Sequence, residues 1–367
     1  MKKPKLFLHF GMPKAGSNAL QMLFHQRRDF LLSRGILYPT SALGSEDRHH
    51  HLTIPTFGGV HLPTAFRKLS KEEALKEFDV YWEDLKDQIS EKQPEAVILS
   101  TEALYRPLDD KGIETLRGLM SEISSEIRLV AFIRQLPSYF LSLVQQRVLS
   151  TGSIPPMPTA AEIMHALLTY EVGFGADTMT VFPYENGRDV VVDFCTLLED
   201  YGVTRDDLGE LEGRANQSLS SAALYLLMSY KQNPPQKDPT AAERSGNVLG
   251  RLLKDLDTEL GMSRPSLKSS AYAAIAPEGY VLEGMLAQRY GLVFQQPTSL
   301  AGLSGEDMAS SLSHADELDA IRGLTDVRPD NVDALLTALA ATDWPERHPA
   351  LAKWVRRSQK RASADLH

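Results

Sequence analysis

The segment KLFLHFGMPKAGSNALQ, Lys5 to Gln21, constrains what this chain can fold into more than any other. Lys5 to Phe10 is a six-residue apolar run that stops at Gly11, too short for a helix and of the kind that forms a strand buried on both faces of a parallel sheet. Ser17 to Arg34 then carries helical spacing, with Leu20, Leu23, Phe24, Phe30 and Leu31 near one face and Gly35 as its stop. A strand joined to a helix by a glycine-bearing loop aims backbone N–H groups and the positive helix end at one place, where an anion is stabilised. The loop departs from the nucleotide-binding pattern GxxxxGKS/T. Gly11 and Gly16 have its spacing, but Ser17 follows the second glycine and Lys14 stands between them. Taken alone, the segment is either a phosphate loop with its ammonium in the middle or a plain strand-to-helix turn with a solvated lysine.

The next hundred and fifty residues repeat the alternation. Ala96 to Ser100, Leu129 to Ile133 and, more weakly, Thr178 to Phe182 are buried-strand candidates, separated by helical patterns over Glu72 to Ser90, Lys111 to Ser125 and Pro137 to Leu149. The order predicts an α/β fold, a P-loop-like and mostly parallel sheet flanked by helices, with its site beyond the strands' carboxyl ends. Past Gly202 the pattern becomes helical, over Ser218 to Lys231, Ala241 to Leu260, Tyr280 to Tyr290 and Asp330 to Ala341. The division expected is an α/β domain with helical additions over 1–300 and a helical extension over 301–367, ending in a basic, solvated tail, KWVRRSQKRASADLH.

Composition narrows the function classes. A net charge of −9 argues against a nucleic-acid partner, and the lone Cys195, within the apolar run VVVDFCTLL, excludes an intrachain disulfide framework and a multi-cysteine zinc site. No apolar run reaches the roughly 18 residues of a membrane helix, so stable membrane insertion is not expected and a reducing cytoplasm is the default location. Three adjacent histidines, His49 to His51, lack the i, i+4 spacing of a zinc helix, and no metal is required.

A second stretch, IRLVAFIRQLPSYFLSLVQQ, sets Arg134 at the carboxyl end of a strand and Ser142 eight residues later on the following helix. With PKAGS (Pro13, Lys14, Ala15, Gly16, Ser17) this resembles the sulfotransferases that use 3′-phosphoadenosine 5′-phosphosulfate, and bacterial members in particular. The resemblance implies that the loop, Asn18 included, holds the donor's 5′-phosphosulfate, and that Arg134 and Ser142 hold its 3′-phosphate. Lys14 would then stabilise charge on the leaving oxygen. Asn18 departs from the hydroxyl residue usual at its place. ALQMLFHQRRDFLLSRGILYP, VFPYENGRDVVVDFCTLLEDYGV and NQSLS after Arg214 resemble further family segments, the last near the donor, which adds Arg214 to the expected contacts.

The acceptor hydroxyl must lose a proton to a base. Glu102 in AVILSTEALYRP emerges at a strand's carboxyl end, on the strand preceding the one that carries Arg134, from which several members of the resembled family draw their base, a histidine in some branches and a glutamate in others. Its alternatives are a helix cap or a pairing with Arg106. His50 is the rival base, or a polar loop residue. The acceptor expected is a hydroxyl compound, with carbohydrate first, and the oligomeric state is not fixed. Two other classes stay open: a P-loop small-molecule kinase using ATP and Mg²⁺, although no clear aspartate pattern for the metal follows, and a non-catalytic nucleotide-binding protein.

Overall fold

The computed structural model describes residues 2–40, 48–58, 62–63, 66–185, 187–211, 218–301, 317–342 and 348–365. Five strands form one sheet: β1 (Lys5–His9), β2 (Ile36–Leu37), β3 (Ala96–Ser100), β4 (Glu126–Arg134) and β5 (Met179–Tyr184), in the order β2-β3-β1-β4-β5. Every pairing is parallel, with Lys5 of β1 opposite Ala96 on one side and Glu126 on the other. The expected α/β class is therefore found. β3 is buried at all five positions, as a parallel strand covered on both faces requires.

This order fixes where a ligand can enter. From β1 the chain departs toward β2 on one side, and from β4 it departs toward β5 on the other, although β1 and β4 are neighbours. This divergence makes β1/β4 a topological switch point, and open parallel sheets bind ligands beyond the carboxyl ends of strands at such a point.

Two compact units make up the chain. The first comprises 1–135, 159–213 and 281–297 and contains the sheet. Its helices include Ser17–Gln26, Arg28–Ser33, Lys71–Lys92, Asp110–Ile123 and Ala160–Phe174. A capping box starts Lys71–Lys92, with Ser70 accepting from the Glu73 N–H and Glu73 accepting from the Ser70 N–H. In the second unit, 136–158, 214–280 and 298–367, the helix Ser221–Gln232 is central. Seven of its side chains, Ala222, Ala223, Leu224, Leu226, Leu227, Met228 and Tyr230, are buried, against the helices Leu136–Ser150, Pro239–Glu259, Glu317–Leu324 and Pro329–Ala341.

Several expectations are corrected. The single helix over Ser17 to Arg34 is two helices that break at Arg27, whose backbone leaves helical values and whose Nε donates to the Leu208 carbonyl at 2.7 Å. Ala160–Phe174 is a helix that the strand-and-helix pattern did not show, begun by a Thr159/Glu162 capping box. The helix expected over Tyr280 to Tyr290 begins at Ser269 and runs through Pro277. The basic tail is the helix Pro349–Asp365, which buries Leu351, Ala352, Trp354 and Val355 and sets the Trp354 ring edge-on to Tyr230 at 5.4 Å. Cys195 is buried, as its apolar surroundings imply.

Candidate functional site

The loop leaving β1 is held by the neighbouring strand. The backbone N–H groups of Phe10 and Met12 donate to the β4 carbonyls of Val130 (3.0 Å) and Phe132 (3.2 Å), so β1 stays tied to β4 past its end. The Ala15 N–H then turns back to the Met12 carbonyl at 3.2 Å. Lys14 adopts a left-handed backbone at φ +66° and Gly16 another at φ +86°. A Cβ on Gly16 would lie 2.7 Å from Val190 Cγ1 and 3.1 Å from Tyr184 Cε2, so neither its dihedral nor its surroundings admit a side chain. Gly11 is equally confined, with His9 Nε2 2.6 Å from where a Cβ would stand. Gly16 caps the helix Ser17–Gln26 without any side-chain cap, and since the Ala19 N–H turns back to the Gly16 carbonyl at 3.0 Å, the N–H groups of Ser17 and Asn18 are the ones that suit an external acceptor.

Around this turn, Lys14 is exposed, Pro13 and Asn18 are half-buried and Ala15 is fully buried. Ser17 is buried and its Oγ has no hydrogen-bond partner. Arg134, the last residue of β4, donates from Nη1 to the Lys14 carbonyl at 3.0 Å, and its guanidinium stands 5.3 Å from the centre of the Tyr184 ring. The residue expected at a 3′-phosphate thus also clasps the loop. Ser142 is half-buried on the helix Leu136–Ser150, which belongs to the second unit. Arg214 lies outside the described residues.

Glu102 and His50, rivals in the sequence, are brought together. Glu102 opens a short helical turn, Glu102–Leu104, at the carboxyl end of β3, and its Oε2 accepts from Gln21 Nε2 at 2.8 Å. Its Oε1 lies 4.0 Å from His50 Nε2, while His50 Nδ1 is 2.7 Å from Thr101 Oγ1. The carboxylate engages Gln21 rather than Arg106. Burial works to raise the Glu102 pKa, but His50, the Gln21 amide, its own backbone N–H and Arg48 outweigh it and leave the carboxyl below its usual value, ionised at neutral pH.

The other two histidines have structural positions. His49 accepts the Ser100 N–H at Nδ1 (2.9 Å), which leaves Nε2–H to donate to the Pro39 carbonyl at 3.1 Å. His51 stacks on Tyr81 with ring centres 4.6 Å apart, and burial lowers its pKa to about 4, so it is neutral. His9 is fully buried at the end of β1, with Nδ1 2.7 Å from Ser100 Oγ, and burial lowers its pKa to about 4 despite the charge of Glu102.

Sequence reasoning missed Gln21, Thr101 and Arg48. Gln21 was detectable, since it lies four residues after Ser17 on the helix face that buries Leu20 and Phe24, a polar residue in an apolar stripe. Thr101 and Arg48 carry no local signal. Among the described residues no group of three His, Cys, Asp or Glu side chains could hold a metal ion, and no helix is long and apolar enough to cross a membrane.

No protein-family model matches the chain, and no curated protein matches it. Among solved structures it is similar to the sulfotransferase domain from the Synechococcus PCC 7002 olefin synthase, at 13% identity and a TM-score of 0.33, over 68% of this chain and 95% of that one. It is likewise similar to the sulfotransferase domain from the curacin biosynthetic pathway, at 10% identity and a TM-score of 0.35, over 72% of this chain and 100% of that one.

Proposed function

We propose that the protein transfers a sulfuryl group from 3′-phosphoadenosine 5′-phosphosulfate to an acceptor hydroxyl, with carbohydrate the first class to test. The observation that carries this reading is the placement of the PKAGS loop. It lies at the β1/β4 switch point, with Arg134 of β4 reaching its backbone and an ionised Glu102 at the end of β3, the strand on the other side of β1.

The residues fit the donor. The buried, unpartnered Ser17 hydroxyl and the uncapped start of the helix Ser17–Gln26 offer donors for an oxyanion, and Gly16 leaves no bulk in the way. The donor supplies a sulfuryl group on a good leaving phosphate. Lys14, the exposed cation of the loop, would offset the charge that grows on the bridging oxygen as the S–O bond to that phosphate breaks. Arg134 binds the 3′-phosphate through charge-assisted hydrogen bonds. As the new O–S bond forms, Glu102 takes the acceptor's proton and 3′-phosphoadenosine 5′-phosphate leaves. His50 acts as the partner of Glu102 rather than as the base, because Nδ1 is engaged with Thr101 and Nε2 faces the carboxylate.

The test is a donor-dependent acceptor screen that detects the gain of one sulfuryl group by mass spectrometry, with calorimetry of 3′-phosphoadenosine 5′-phosphate against ATP and Mg²⁺. Binding of the bisphosphate and a sulfated product support the proposal. Binding of ATP with Mg²⁺ and none of the bisphosphate overturns it in favour of a kinase, and bisphosphate binding without turnover on any acceptor leaves a binding protein.

A further inference from the structure

Gln21 is wholly buried, and its carboxamide is used at one end only. Nε2 donates to Glu102 Oε2 at 2.8 Å, whereas Oε1 is buried with no hydrogen-bond partner. A carboxylate can only accept, so Glu102 itself dictates which way the amide points. An unsatisfied buried acceptor lowers stability, and a leucine would fill the stripe beside Leu20 and Phe24 without one. The amide's use must therefore lie at its NH₂ end. Meanwhile Glu102 Oε1, 4.0 Å from His50 Nε2, is beyond hydrogen-bond length. The amide holds Oε2 at hydrogen-bond length, whereas His50 approaches Oε1 only at the longer distance. Ser17 lies one turn before Gln21 on the same face, so a single short helix carries a hydroxyl at the loop and the amide on Glu102.

We propose that Gln21 is a positioning residue: it fixes the plane of the Glu102 carboxylate so that Oε1 faces the acceptor hydroxyl, and it ties that orientation to the donor loop through the helix Ser17–Gln26. This rests on the sulfuryl-transfer reading of the site. The carboxylate torsion is broad when unrestrained, so the amide selects one orientation from many. The charged and titratable groups facing Glu102 are His50 and Arg48, from the segment before Thr53, and His9 at the end of β1. A hydrogen bond to the ionised form stabilises it, so removal of the amide moves the Glu102 titration to higher pH.

Gln21→Leu and Gln21→Glu in the full chain test this, with three readouts: thermal stability, turnover against pH, and the Glu102 carboxyl titration followed by ¹³C NMR without substrates. At a pH below the Glu102 titration Gln21→Leu should be as stable as the wild type, and at neutral pH it should lose no more than the shift of that titration accounts for, since Glu102 gives up a donor while the buried amide acceptor disappears. The turnover of Gln21→Leu should fall about ten- to a hundredfold, the range for loss of a hydrogen bond to an ionised group, with donor KM held. The acid limb of its pH profile should move upward together with the NMR titration. Gln21→Glu should move both further, since two facing carboxylates resist joint ionisation. An unmoved Glu102 titration overturns the proposal, as does a loss of stability that persists below the Glu102 titration, where the carboxylate no longer contributes. If the wild type transfers no sulfuryl group, the proposed function falls, while the titration in Gln21→Leu still decides whether this amide holds the carboxylate.

Discussion

Gly16→Ala is the sharpest probe of the loop, because two independent effects oppose it and each has a size. At φ +86° an alanine sits in the left-handed region, which costs an L-residue about 1–2 kcal/mol. Its Cβ would also stand 2.7 Å from Val190 Cγ1 and 3.1 Å from Tyr184 Cε2. Val190 begins a short helix and is buried, so the backbone must shift rather than a side chain swing away, an overpacking penalty of about 1–3 kcal/mol. The sum, roughly 2–5 kcal/mol, is a large part of the total stability of a domain and corresponds to a fall in Tm of about 4–20 °C. Differential scanning calorimetry measures it, and calorimetric titration with 3′-phosphoadenosine 5′-phosphate reads the displaced loop as lost affinity. Val190→Ala in the Gly16→Ala background removes both Cγ atoms and should recover the Val190 share of the steric part only, the Tyr184 contact remaining. A Gly16→Ala protein that melts within about 1 °C of the wild type and binds as well would refute the reasoning, because neither effect could then be acting.

Lys14→Gly should relieve the left-handed strain at φ +66° and leave stability equal or up to about 1 kcal/mol higher, while turnover falls far more than donor affinity; lost affinity with intact saturated turnover would make Lys14 a ground-state contact. Arg134→Ala should weaken 3′-phosphoadenosine 5′-phosphate by about 1.5–3 kcal/mol and adenosine 5′-phosphate by less, and equal losses in calorimetry would reduce Arg134 to its clasp on the Lys14 carbonyl. Glu102→Gln should lower turnover by about 10²–10⁴ with little change in Tm, and a large loss in His50→Ala beside a mild one in Glu102→Gln would transfer the proton to His50. Asp257 accepts from the Ser220 N–H (2.5 Å) and hydroxyl (2.7 Å), yet burial outweighs both bonds and raises its pKa. A carboxyl raised in the folded state loses stability as pH climbs past its unfolded value of about 4, so the Tm of Asp257→Asn relative to wild type should rise between pH 4 and pH 7. A constant difference would mean that Asp257 does not titrate across that range.

The parts of this molecule legible in its sequence are those whose signal is local. β1, β3 and β4 are unbroken apolar runs, and the loop after β1 is marked by its glycines, so sheet class and loop position follow from short windows. Ala160–Phe174 does bury Ile163, Met164, Leu167 and Tyr170 at helical spacing, but Ala161 and Val172 on the exposed side and Glu171 on the buried side blur the contrast between its faces. Its Thr159/Glu162 box was the usable sign. The C-terminal helix was hidden by its charges, which masked the buried spacing of Leu351, Val355 and Trp354. The Gln21 to Glu102 hydrogen bond joins residues 81 apart, and only the parallel register of β1 against β3 puts them side by side. For the same reason Glu102 and His50 read as competitors: a sequence carries two candidate bases, but not the 4.0 Å between them.

The position of the lysine follows from the packing of the loop. In the common phosphate loop the cation comes directly after the second glycine, the place of Ser17 here. Ser17 is buried on the helix face that carries Leu20, Gln21 and Phe24, so an ammonium at that position would be driven toward the core and would have to be desolvated without a partner. Gly16 cannot carry it, since Val190 and Tyr184 occupy the space of any side chain. Ala15 is itself fully buried, and Pro13 has no ionisable group. Lys14 is the residue of this turn that both projects to solvent and stands beside the helix start, and it does so in a backbone conformation that disfavours every residue but glycine. A cation retained there against local strain, with its carbonyl held by Arg134, is consistent with a loop shaped to present charge to a ligand from above, while the serine below offers an uncharged donor.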